Sequence, residues 1–341
     1  MNIQLETDIQ EFAHSFPLSS DLADSRFMIT GATGLIGSTL VRCLLALDIG
    51  ISITIPVRNR AKASAMYETY TSRLKIVECD LMEFCSSLED GFDYIIHCAS
   101  PTAGSYMNEH PVETYETAVE TTRLLLQYAR KHHVKGFVYV SSLEYYGQNF
   151  DDKIISEDFQ GYVDATSARS SYPMGKRAAE YLCFAYAKEY GIPAKVARLT
   201  QTFGAGVSAD DNRVFAQFAR SVLAGTDIIM HTKGESAKPY CYTTDCASGI
   251  LTILLKGTSG EAYNVANQDT YISIRSMAEF LRGNFNPRIK VVIEEQSEMG
   301  YAPVTKLHLS SEKLAALGWK PKYNLYSMFS NLIKGLHNDD K

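Results

Sequence analysis

A glycine-rich turn joins the first apolar run of the chain to its first helical pattern. The run is RFMIT (26–30), the turn is GATGLIG (31–37), and the pattern STLVRCLLAL follows directly. Glycines let the backbone turn tightly and approach a ligand, and a helix N-terminus presents unpaired N–H groups and a positive dipole end. This order predicts a strand, turn and helix that bind a dinucleotide pyrophosphate. The alternative is a turn that only allows strand and helix to pack. The predicted contacts are Gly31, Thr33, Gly34, Leu35, Ile36 and Gly37.

Further apolar runs alternate with helical patterns after this turn. They are ISITIPV (51–57), LKIVEC (74–79), DYIIHCA (93–99), GFVYVSS (136–142) and AKVARL (194–199). Runs that are apolar throughout are typical of strands covered on both faces, so a parallel sheet between helices is expected. The predicted fold is α/β, a doubly wound Rossmann sheet over residues 26–200. Residues 1–25 are expected to form an N-terminal extension. Residues 201–341, where the alternation fades, are expected to form mainly a smaller substrate-binding lobe, with some elements returning to the sheet.

Composition and charge argue against several classes of protein. The formal net charge of -6 over 341 residues includes no basic excess that would favour nucleic acid or an anionic membrane. No apolar stretch reaches the length of a membrane span, and the acidic N-terminus does not resemble a secretion signal. The seven cysteines lack CxxC spacing, which predicts buried thiols and no metal site. We therefore expect a cytoplasmic protein.

Tyr172 and Lys176 open a long helical pattern in YPMGK (172–176). Their spacing places them one turn apart on one face of the helix. A lysine ammonium beside a phenol favours the phenolate, so the pKa of Tyr172 is expected to lie below its ordinary value of about 10. Tyr172 is therefore predicted to act as a general base that removes a hydroxyl proton while hydride leaves for a nicotinamide.

Ser142 ends the run GFVYVSS, thirty residues before Tyr172. The C-termini of strands in an open α/β sheet point at the ligand crevice, so Ser142 is expected to hold the reacting hydroxyl for Tyr172. The alternative is a serine that only forms the turn at the strand end.

Arg58 and Asp80 follow the second and third predicted strands. Many NAD sites carry a carboxylate at the position of Arg58, whereas an arginine there pairs with the 2′-phosphate of NADP, which favours NADP. The alternative is that Arg58 stacks on adenine or faces solvent. Asp80 is expected to accept a hydrogen bond from the adenine amino group, or else to cap the helix that begins at Leu81.

A series of motifs in a fixed order resembles the extended short-chain dehydrogenase/reductases that act on nucleotide sugars, a family of epimerases, dehydratases and decarboxylases. The motifs are GATGLIG (31–37), CDL (79–81), HCAS (97–100), VSSLEYYG (140–147), YPMGK (172–176), ARLTQTFGAG (197–206), KPYCYTTDCASGI (238–250), EAYNVAN (261–267) and LGWKPKY (317–323). The resemblance covers about residues 26–325. It implies a nucleotide-sugar substrate, a tightly bound NAD or NADP, and a homodimer formed through helices at about 111–131 and 172–190. The further cofactor contacts that it implies are Leu81, Cys98, Ala99, Ser100, Tyr172 and Lys176.

Two stretches look most like the UDP-glucuronate decarboxylases, RSSYPMGKRAAE (169–180) and DNRVFAQFARSVLAG (211–225). Glu144 falls where those enzymes and the dehydratases carry a catalytic glutamate. The resemblance implies that a transient ketone forms at C4 of the sugar and that Glu144 moves a second proton. The alternative for Glu144 is a solvated or N-capping carboxylate.

The chain departs from the family pattern at four positions. Leu143 replaces an aspartate acid of the dehydratases, which disfavours water elimination. Lys238 replaces an arginine expected on the substrate pyrophosphate, and it supplies charge without a bidentate fork. Gln201 and Ala118 replace asparagines. A sugar-nucleotide enzyme is still indicated, but these changes weaken the decarboxylase assignment.

The substrate contacts implied by the resemblance fall into three groups. Arg213 and Lys238 are expected on the phosphates, Arg169, Tyr145 and Gln201 on a sugar carboxylate or hydroxyls, and Tyr106 on the nicotinamide side of the cleft. The alternative for each is a surface or packing residue.

Three functions are left open by the sequence. The first is an epimerase or decarboxylase that keeps and recycles its nicotinamide. The second is an NADPH-dependent carbonyl reductase that releases its cofactor in each turnover, which Arg58 would suit. The third is a non-catalytic NAD(P)-binding sensor. The presence of Ser142, Tyr172 and Lys176 together favours an enzyme.

Overall fold

The protein, for which we use a computed structural model, is described over residues 2–70, 72–87, 91–101, 104–296 and 304–339. The strands are β1 (Arg26–Thr30), β2 (Ser52–Val57), β3 (Leu74–Glu78), β4 (Tyr94–His97), β5 (Gly136–Ser142), β6 (Ile154–Ile155), β7 (Ala194–Leu199), β8 (Gln201–Phe203), β9 (Ile228–Met230), β10 (Ala237–Tyr242), β11 (Ala262–Val265), β12 (Asn267–Ser273), β13 (Val291–Ile293) and β14 (His308–Leu309).

The helices are α1 (Ile3–Ser15), α2 (Leu35–Ala46), α3 (Arg60–Met66), α4 (Leu81–Ser86), α5 (Gly104–Glu109), α6 (Pro111–His132), α7 (Ser171–Tyr190), α8 (Val214–Ala224), α9 (Thr243–Lys256), α10 (Ile274–Phe285), α11 (Glu312–Ala315) and α12 (Leu325–Asp339). Short 3₁₀ turns cover Ser19–Leu22, Glu68–Tyr70, Leu143–Tyr146 and Ala168–Ser170.

Seven parallel strands of the described chain form the main sheet, in the order β11-β7-β5-β4-β1-β2-β3. Apart from the edge strand β3, the strands are buried almost throughout, because helices cover both faces of the sheet. The strand order reverses between β1 and β4, and such a switch point opens a crevice at the carboxyl ends of the strands. The predicted doubly wound α/β fold is confirmed.

Two apolar layers hold this sheet between its helices. On one face, the core combines residues of α1, α2 and α9, such as Ile9, Leu44 and Ile250, with the inward side chains of the strands. On the other face, α4, α6 and α7 supply residues such as Leu125 and Cys183. The apolar runs of the sequence thus become strands that pack on both sides.

The segment after β7 builds a second apolar cluster. β8, β10 and β12 form a small sheet, and α8, α10 and α12 pack on it around Phe203, Phe215 and Phe329. Two elements of this segment return to the main unit, since α9 packs on it and β11 extends its sheet beside β7.

The N-terminal segment is packed against the body of the protein. α1 places Ile9, Phe12 and Phe16 in the main core. Its Asp8 is 1% exposed and accepts hydrogen bonds from the Tyr242 hydroxyl and from Gln4. None of the helices in the described ranges has the length and apolar character needed to cross a membrane.

Candidate active site

The glycine turn lies at the switch point, between the carboxyl ends of β1 and β4. Gly31 has φ +68°, and a Cβ atom there would lie 2.8 Å from the backbone nitrogen of Ala99. Gly37 lies in the first turn of α2, where a Cβ would meet the Gly31 carbonyl oxygen at 2.3 Å. Both positions therefore require glycine, and the N-terminus of α2 points at the crevice.

A buried histidine at the end of β4 positions the backbone that follows this strand. His97 is fully buried, its Nδ1 lies 2.7 Å from Thr30 Oγ1, and its Nε2 lies 3.1 Å from Thr121 Oγ1. Burial lowers the pKa of His97 to about 3, so the ring is neutral. Thr30 Oγ1 also accepts the Ala99 N–H at 3.1 Å, which sets the backbone opposite Gly31.

Ser100 places a buried hydroxyl beside the glycine turn. Ser100 Oγ is buried and makes no hydrogen bond within the described residues. An unpartnered buried donor next to a close backbone approach and a helix N-terminus fits a dinucleotide, which offers phosphate and ribose oxygens. Thr33, Gly34, Leu35 and Ile36 lie in the same turn and at the start of α2.

The outer end of the crevice carries the predicted adenosine contacts. Arg58 is exposed directly after β2. Asp80 caps α4, since its carboxylate accepts the N–H groups of Met82 and Glu83 at 2.8 and 3.4 Å. The alternative role given to Asp80 as an N-cap is thus present in the structure, and Leu81 is the first residue of that helix.

Ser142, Tyr172 and Lys176 converge where β5 ends and α7 begins. Tyr172 hydrogen-bonds Ser142, and the ammonium of Lys176 lies 5.4 Å from the centroid of the Tyr172 ring. Tyr172 and Lys176 are 8% and 2% exposed, and Lys176 Nζ donates to the Val140 carbonyl at 2.9 Å. The three residues predicted to act together thus lie together.

The pKa values of this group follow from its burial. Desolvation and the Glu144 charge raise the pKa of Tyr172, although the Ser142 hydrogen bond and the Arg169 charge oppose them. The expectation of a lowered pKa for Tyr172 is therefore wrong, because burial outweighs the favourable contacts. Desolvation also lowers the pKa of Lys176 to about 8.

Glu144 and Arg169 form an ion pair beside Tyr172. Glu144 belongs to the 3₁₀ turn after β5, and Arg169 to the 3₁₀ turn before α7. Arg169 Nη2 lies 2.9 and 2.8 Å from the two carboxylate oxygens. The carboxylate is thus held near Tyr172, whose pKa it helps to raise.

The other predicted polar contacts to the substrate lie on β10, on β8 and directly before α8. Burial lowers the pKa of Lys238 on β10, although the nearby charge of Glu144 acts in the opposite direction. Gln201 begins β8 and pairs with Tyr240 in the same small sheet. Arg213 precedes α8 and is paired with Asp211 at 2.5 Å.

Two aromatic candidates differ in exposure. Tyr106 on α5 is 39% exposed, and its ring centroid lies 4.6 Å from that of His110, with the rings tilted by 34°. Tyr145 is 8% exposed, and the Arg198 guanidinium lies 3.5 Å from its ring centroid. The packing alternative for Tyr145 is thus present in the structure, and its contact with a sugar stays a prediction.

The sequence interpretation missed a buried polar network behind the site. It consists of Ser141, Glu180, Arg198, Tyr146 and Asn264. One signal was present in the sequence, since Glu180 follows Lys176 by four residues and Arg198 interrupts the apolar run AKVARL. Charged residues are seldom fully buried unless they are paired.

One departure from the family pattern has a packing reason. A Cβ atom at Gly175, next to Lys176, would lie 3.2 Å from the Cβ of Ala118. α6 and α7 therefore approach closely at this point, which leaves little room for an asparagine at position 118.

Known proteins match this chain in sequence and in fold. The model of the NAD dependent epimerase/dehydratase family matches residues 27–266. UDP-glucuronic acid decarboxylase 3 of Arabidopsis thaliana is 28% identical over 320 residues, which are 91% of this chain and 90% of the relative. UDP-glucuronic acid decarboxylase 1 of Xenopus tropicalis is 25% identical over 324 residues, 92% of this chain and 73% of the relative.

Two solved structures share the fold. The UDP-glucose 4-epimerase of Thermotoga maritima, solved with UDP-glucose, superposes with a TM-score of 0.79 at 21% identity, over 93% of this chain and 100% of that one. The dTDP-glucose 4,6-dehydratase of Streptomyces venezuelae, solved with NAD, gives a TM-score of 0.76 at 21% identity, over 92% and 97%.

Proposed function

The chain belongs to the NAD dependent epimerase/dehydratase family, and we propose that it converts a nucleotide sugar through a transient ketone at C4, as an epimerase or decarboxylase, with Tyr172 as the general base. The observation that carries this proposal is the contact of Tyr172 with Ser142 beside the buried ammonium of Lys176. These groups lie at the carboxyl end of β5, next to the glycine turn, where a sugar and a nicotinamide can meet.

Each of these residues has a defined task in the proposed reaction. Ser142 accepts or donates a hydrogen bond at the sugar C4 hydroxyl, and Tyr172 removes its proton. The nicotinamide dinucleotide, when bound, accepts the C4 hydride and later returns it. Lys176 stays charged below its pKa of about 8 and favours the phenolate form of Tyr172. Tyr172 then returns the proton when the ketone is reduced.

The residues proposed to hold the dinucleotide are those of the glycine turn, with Ser100 beside it and Asp80 at the outer end of the crevice. We propose that the cofactor stays bound between turnovers. The exposed Arg58 after β2 supports NADP, because a guanidinium suits a 2′-phosphate. The names of the family and of the solved dehydratase refer to NAD. Titration of the wild type and of Arg58→Ala with both dinucleotides separates the two cofactors.

The sugar side of the site supports a substrate that carries negative charge. Arg169 is paired with Glu144, and Lys238 lies within electrostatic range of the same carboxylate. Arg213, which is paired with Asp211 before α8, is proposed as a third cation, on the substrate phosphates. A ketone at C4 would let a C5 carboxylate leave as carbon dioxide, with the electron pair stabilised on the ketone oxygen and a proton then added at C5. The two decarboxylases to which this chain is similar support that branch. Glu144 is proposed to move the second proton.

The proposed assembly is a homodimer formed through α6 and α7. Val112, Tyr115 and Tyr181 on these helices are 61%, 40% and 69% exposed, which is unusual for large apolar side chains on neighbouring helices. Sedimentation analysis of the wild type and of Tyr181→Glu tests this assembly. A monomeric wild type contradicts it.

The test of function is conversion of a panel of UDP, dTDP, GDP and CDP sugars, including uronates. Product analysis by mass spectrometry and proton NMR is expected to show loss of carbon dioxide or an inverted centre, without net consumption of nicotinamide. Tyr172→Phe, which keeps the ring, is the inactive control. Net oxidation of NADPH by added ketones would instead identify the releasing reductase. Binding of the dinucleotide with no turnover of any compound would identify the sensor.

A further inference from the structure

Glu180 on α7 and Arg198 on β7 form a deeply buried ion pair. Their side chains are 0% and 3% exposed, and Arg198 Nη2 lies 2.8 Å from Glu180 Oε2. Arg198 Nε reaches both carboxylate oxygens, at 3.2 and 3.0 Å. Among the described ion pairs, no other has both side chains below one tenth exposed. A buried pair gains little net stability, because desolvation offsets the attraction, so its position calls for another explanation.

Arg198 holds the turn that follows Ser142. Its guanidinium covers the Tyr145 ring at 3.5 Å, and its Nη1 donates to the Tyr146 hydroxyl at 3.1 Å and to the Glu157 carbonyl at 2.6 Å. Tyr145 and Tyr146 directly follow Glu144 in the same 3₁₀ turn. The planar guanidinium therefore fixes this turn through stacking and through a directed hydrogen bond.

Glu180 holds the residue on the other side of Ser142. The Ser141 hydroxyl donates to Glu180 Oε1. One ion pair thus contacts the side chains of Ser141 and Tyr145, and Ser142 and Glu144 lie between these two residues in the chain. Movement of either partner would change the direction in which Ser142 and Glu144 face Tyr172.

Glu180 also lies one helical turn after Lys176, on the same face of α7. After desolvation, which lowers the pKa of Lys176, the Glu180 charge is the largest influence on that pKa, and it raises it. The titratable groups around the ammonium are Tyr172 and Glu180 on α7, Tyr139 on β5, His97 and Cys98 at the end of β4, and Glu144 on the turn after β5.

We propose that Glu180 and Arg198 are positioning residues of the active site: the pair fixes the segment that presents Ser142 and Glu144, and the Glu180 carboxylate supports the charged form of Lys176. Neither residue is placed to touch the substrate, so neither is a catalytic residue. The inference rests on the proposed function, because it assigns roles relative to Ser142, Tyr172 and Lys176.

The test compares Glu180→Gln with Asp245→Asn in the full chain. Asp245 is also buried, at 4% exposure, but its carboxylate accepts the backbone N–H groups of Lys322 and Tyr323, away from Tyr172. Glu180→Gln is expected to lower kcat by about tenfold to a hundredfold, with KM changed less than about twofold. It is also expected to move the alkaline limb of the pH profile to lower pH. Asp245→Asn is expected to change neither kcat nor the limb.

Two milder variants separate the two parts of the proposal. Arg198→Lys keeps the charge beside Glu180 but loses the stacking on Tyr145, so kcat is expected to fall about tenfold while the alkaline limb stays in place. Ser141→Ala removes one hydrogen bond and is expected to lower kcat severalfold without loss of folding. If Arg198→Lys and Ser141→Ala both keep wild-type kcat, the positioning role is overturned.

A direct readout keeps the inference separate from the proposed function. The pKa of Lys176, followed by NMR with lysine labelled with carbon-13 at Cε, is expected to be lower in Glu180→Gln than in the wild type. An unchanged Lys176 pKa overturns the electrostatic role. If the wild type converts no nucleotide sugar, the proposed function fails, and this titration still decides the role of Glu180.

Discussion

Arg169 Nη2 donates to both carboxylate oxygens of Glu144, at 2.9 and 2.8 Å, across the gap between the turn after β5 and the turn before α7. The other terminal nitrogen of this guanidinium, Nη1, is buried and makes no hydrogen bond within the described residues. The side chains are 42% and 36% exposed, so solvent screens much of their attraction. The pair arranges charge beside Tyr172 more than it stabilises the fold.

Glu144→Gln and Arg169→Met should therefore affect catalysis far more than stability. Each is expected to change the free energy of unfolding by less than about 1 kcal/mol. Each should lower kcat/KM by about a hundredfold or more, since a group that moves a proton or holds the sugar is lost. Urea denaturation and steady-state kinetics measure the two effects. A loss of more than about 2 kcal/mol with near-normal kcat/KM would show a structural pair instead.

Lys176 is expected to titrate within the working pH range. Burial lowers its pKa to about 8, so the ammonium is lost as the pH rises through that value. The proposed support for the Tyr172 phenolate disappears with it, and kcat/KM should fall above about pH 8. In carbon-13 NMR of Cε-labelled lysine, one signal should titrate near pH 8 and be missing in Lys176→Met. A signal that titrates only near the ordinary lysine pKa would contradict the buried environment.

Gly37→Ala and Gly34→Ala form a matched pair within one turn. A Cβ at Gly37 would lie 2.3 Å from the Gly31 carbonyl oxygen, whereas a Cβ at Gly34 would lie at 3.4 Å from the same atom. Gly37→Ala is thus expected to destabilise the fold by about 2 kcal/mol or more. Gly34→Ala should leave stability near that of the wild type but weaken dinucleotide binding, because Gly34 is exposed at the N-terminus of α2. Thermal unfolding and fluorescence titration with dinucleotide measure the two properties, and equal stability of the variants would count against this packing.

Arg58→Ala tests the preference for NADP. If the guanidinium pairs with the 2′-phosphate, the variant should bind NADP about tenfold more weakly and NAD within about twofold of the wild type. Arg60→Ala is the control, because Arg60 donates to the Ile76 carbonyl at 3.0 Å. Calorimetric titration with both dinucleotides gives the ratio of affinities. An unchanged ratio in Arg58→Ala would mean that Arg58 faces solvent.

Asp8→Asn should change how stability depends on pH. Burial raises the pKa of Asp8 to about 6, although the Tyr242 hydrogen bond opposes this. A raised pKa means that the neutral form favours the folded state, so this contribution is complete below the ordinary pKa and is lost as the pH rises through about 6. The difference amounts to about 3 kcal/mol at most.

The stability of Asp8→Asn relative to the wild type should therefore increase between about pH 4 and pH 7. Urea unfolding of both proteins across this range measures the effect, and their difference removes the contributions of other groups, such as His97 and Asp245. A difference that does not depend on pH would show that Asp8 has an ordinary pKa in the folded protein.

The fold was predictable because its signals are local. Apolar runs between helical patterns predicted β1, β2, β3, β4, β5 and β7, and the glycines of residues 31–37 marked the first turn. The spacing of Tyr172 and Lys176 predicted their common helix face, since four residues make about one helical turn. Each of these inferences depends on neighbours in the sequence.

Other features depend on distant parts of the chain. Burial and the charge of Glu144 raise the pKa of Tyr172, and only the folded structure brings these two influences to the phenol. The contact of Arg198 with Tyr145 spans two different strand ends, and no local pattern reports it. The packing of α1 was also not predicted, because Ile9, Phe12 and Phe16 are few among polar residues.

The position of α1 determines when its polar contacts can form during translation. The Asp8 carboxylate is bonded by Tyr242 and also by Asn331, and Glu11 is bonded by Lys322. α1 therefore meets these partners only after the distant segments that carry Tyr242, Lys322 and Asn331 have been synthesised, many seconds later at ordinary elongation rates. The apolar face of α1 packs in the same core as the nearby α2 and can be covered early, whereas the polar contacts of Asp8 and Glu11 form later.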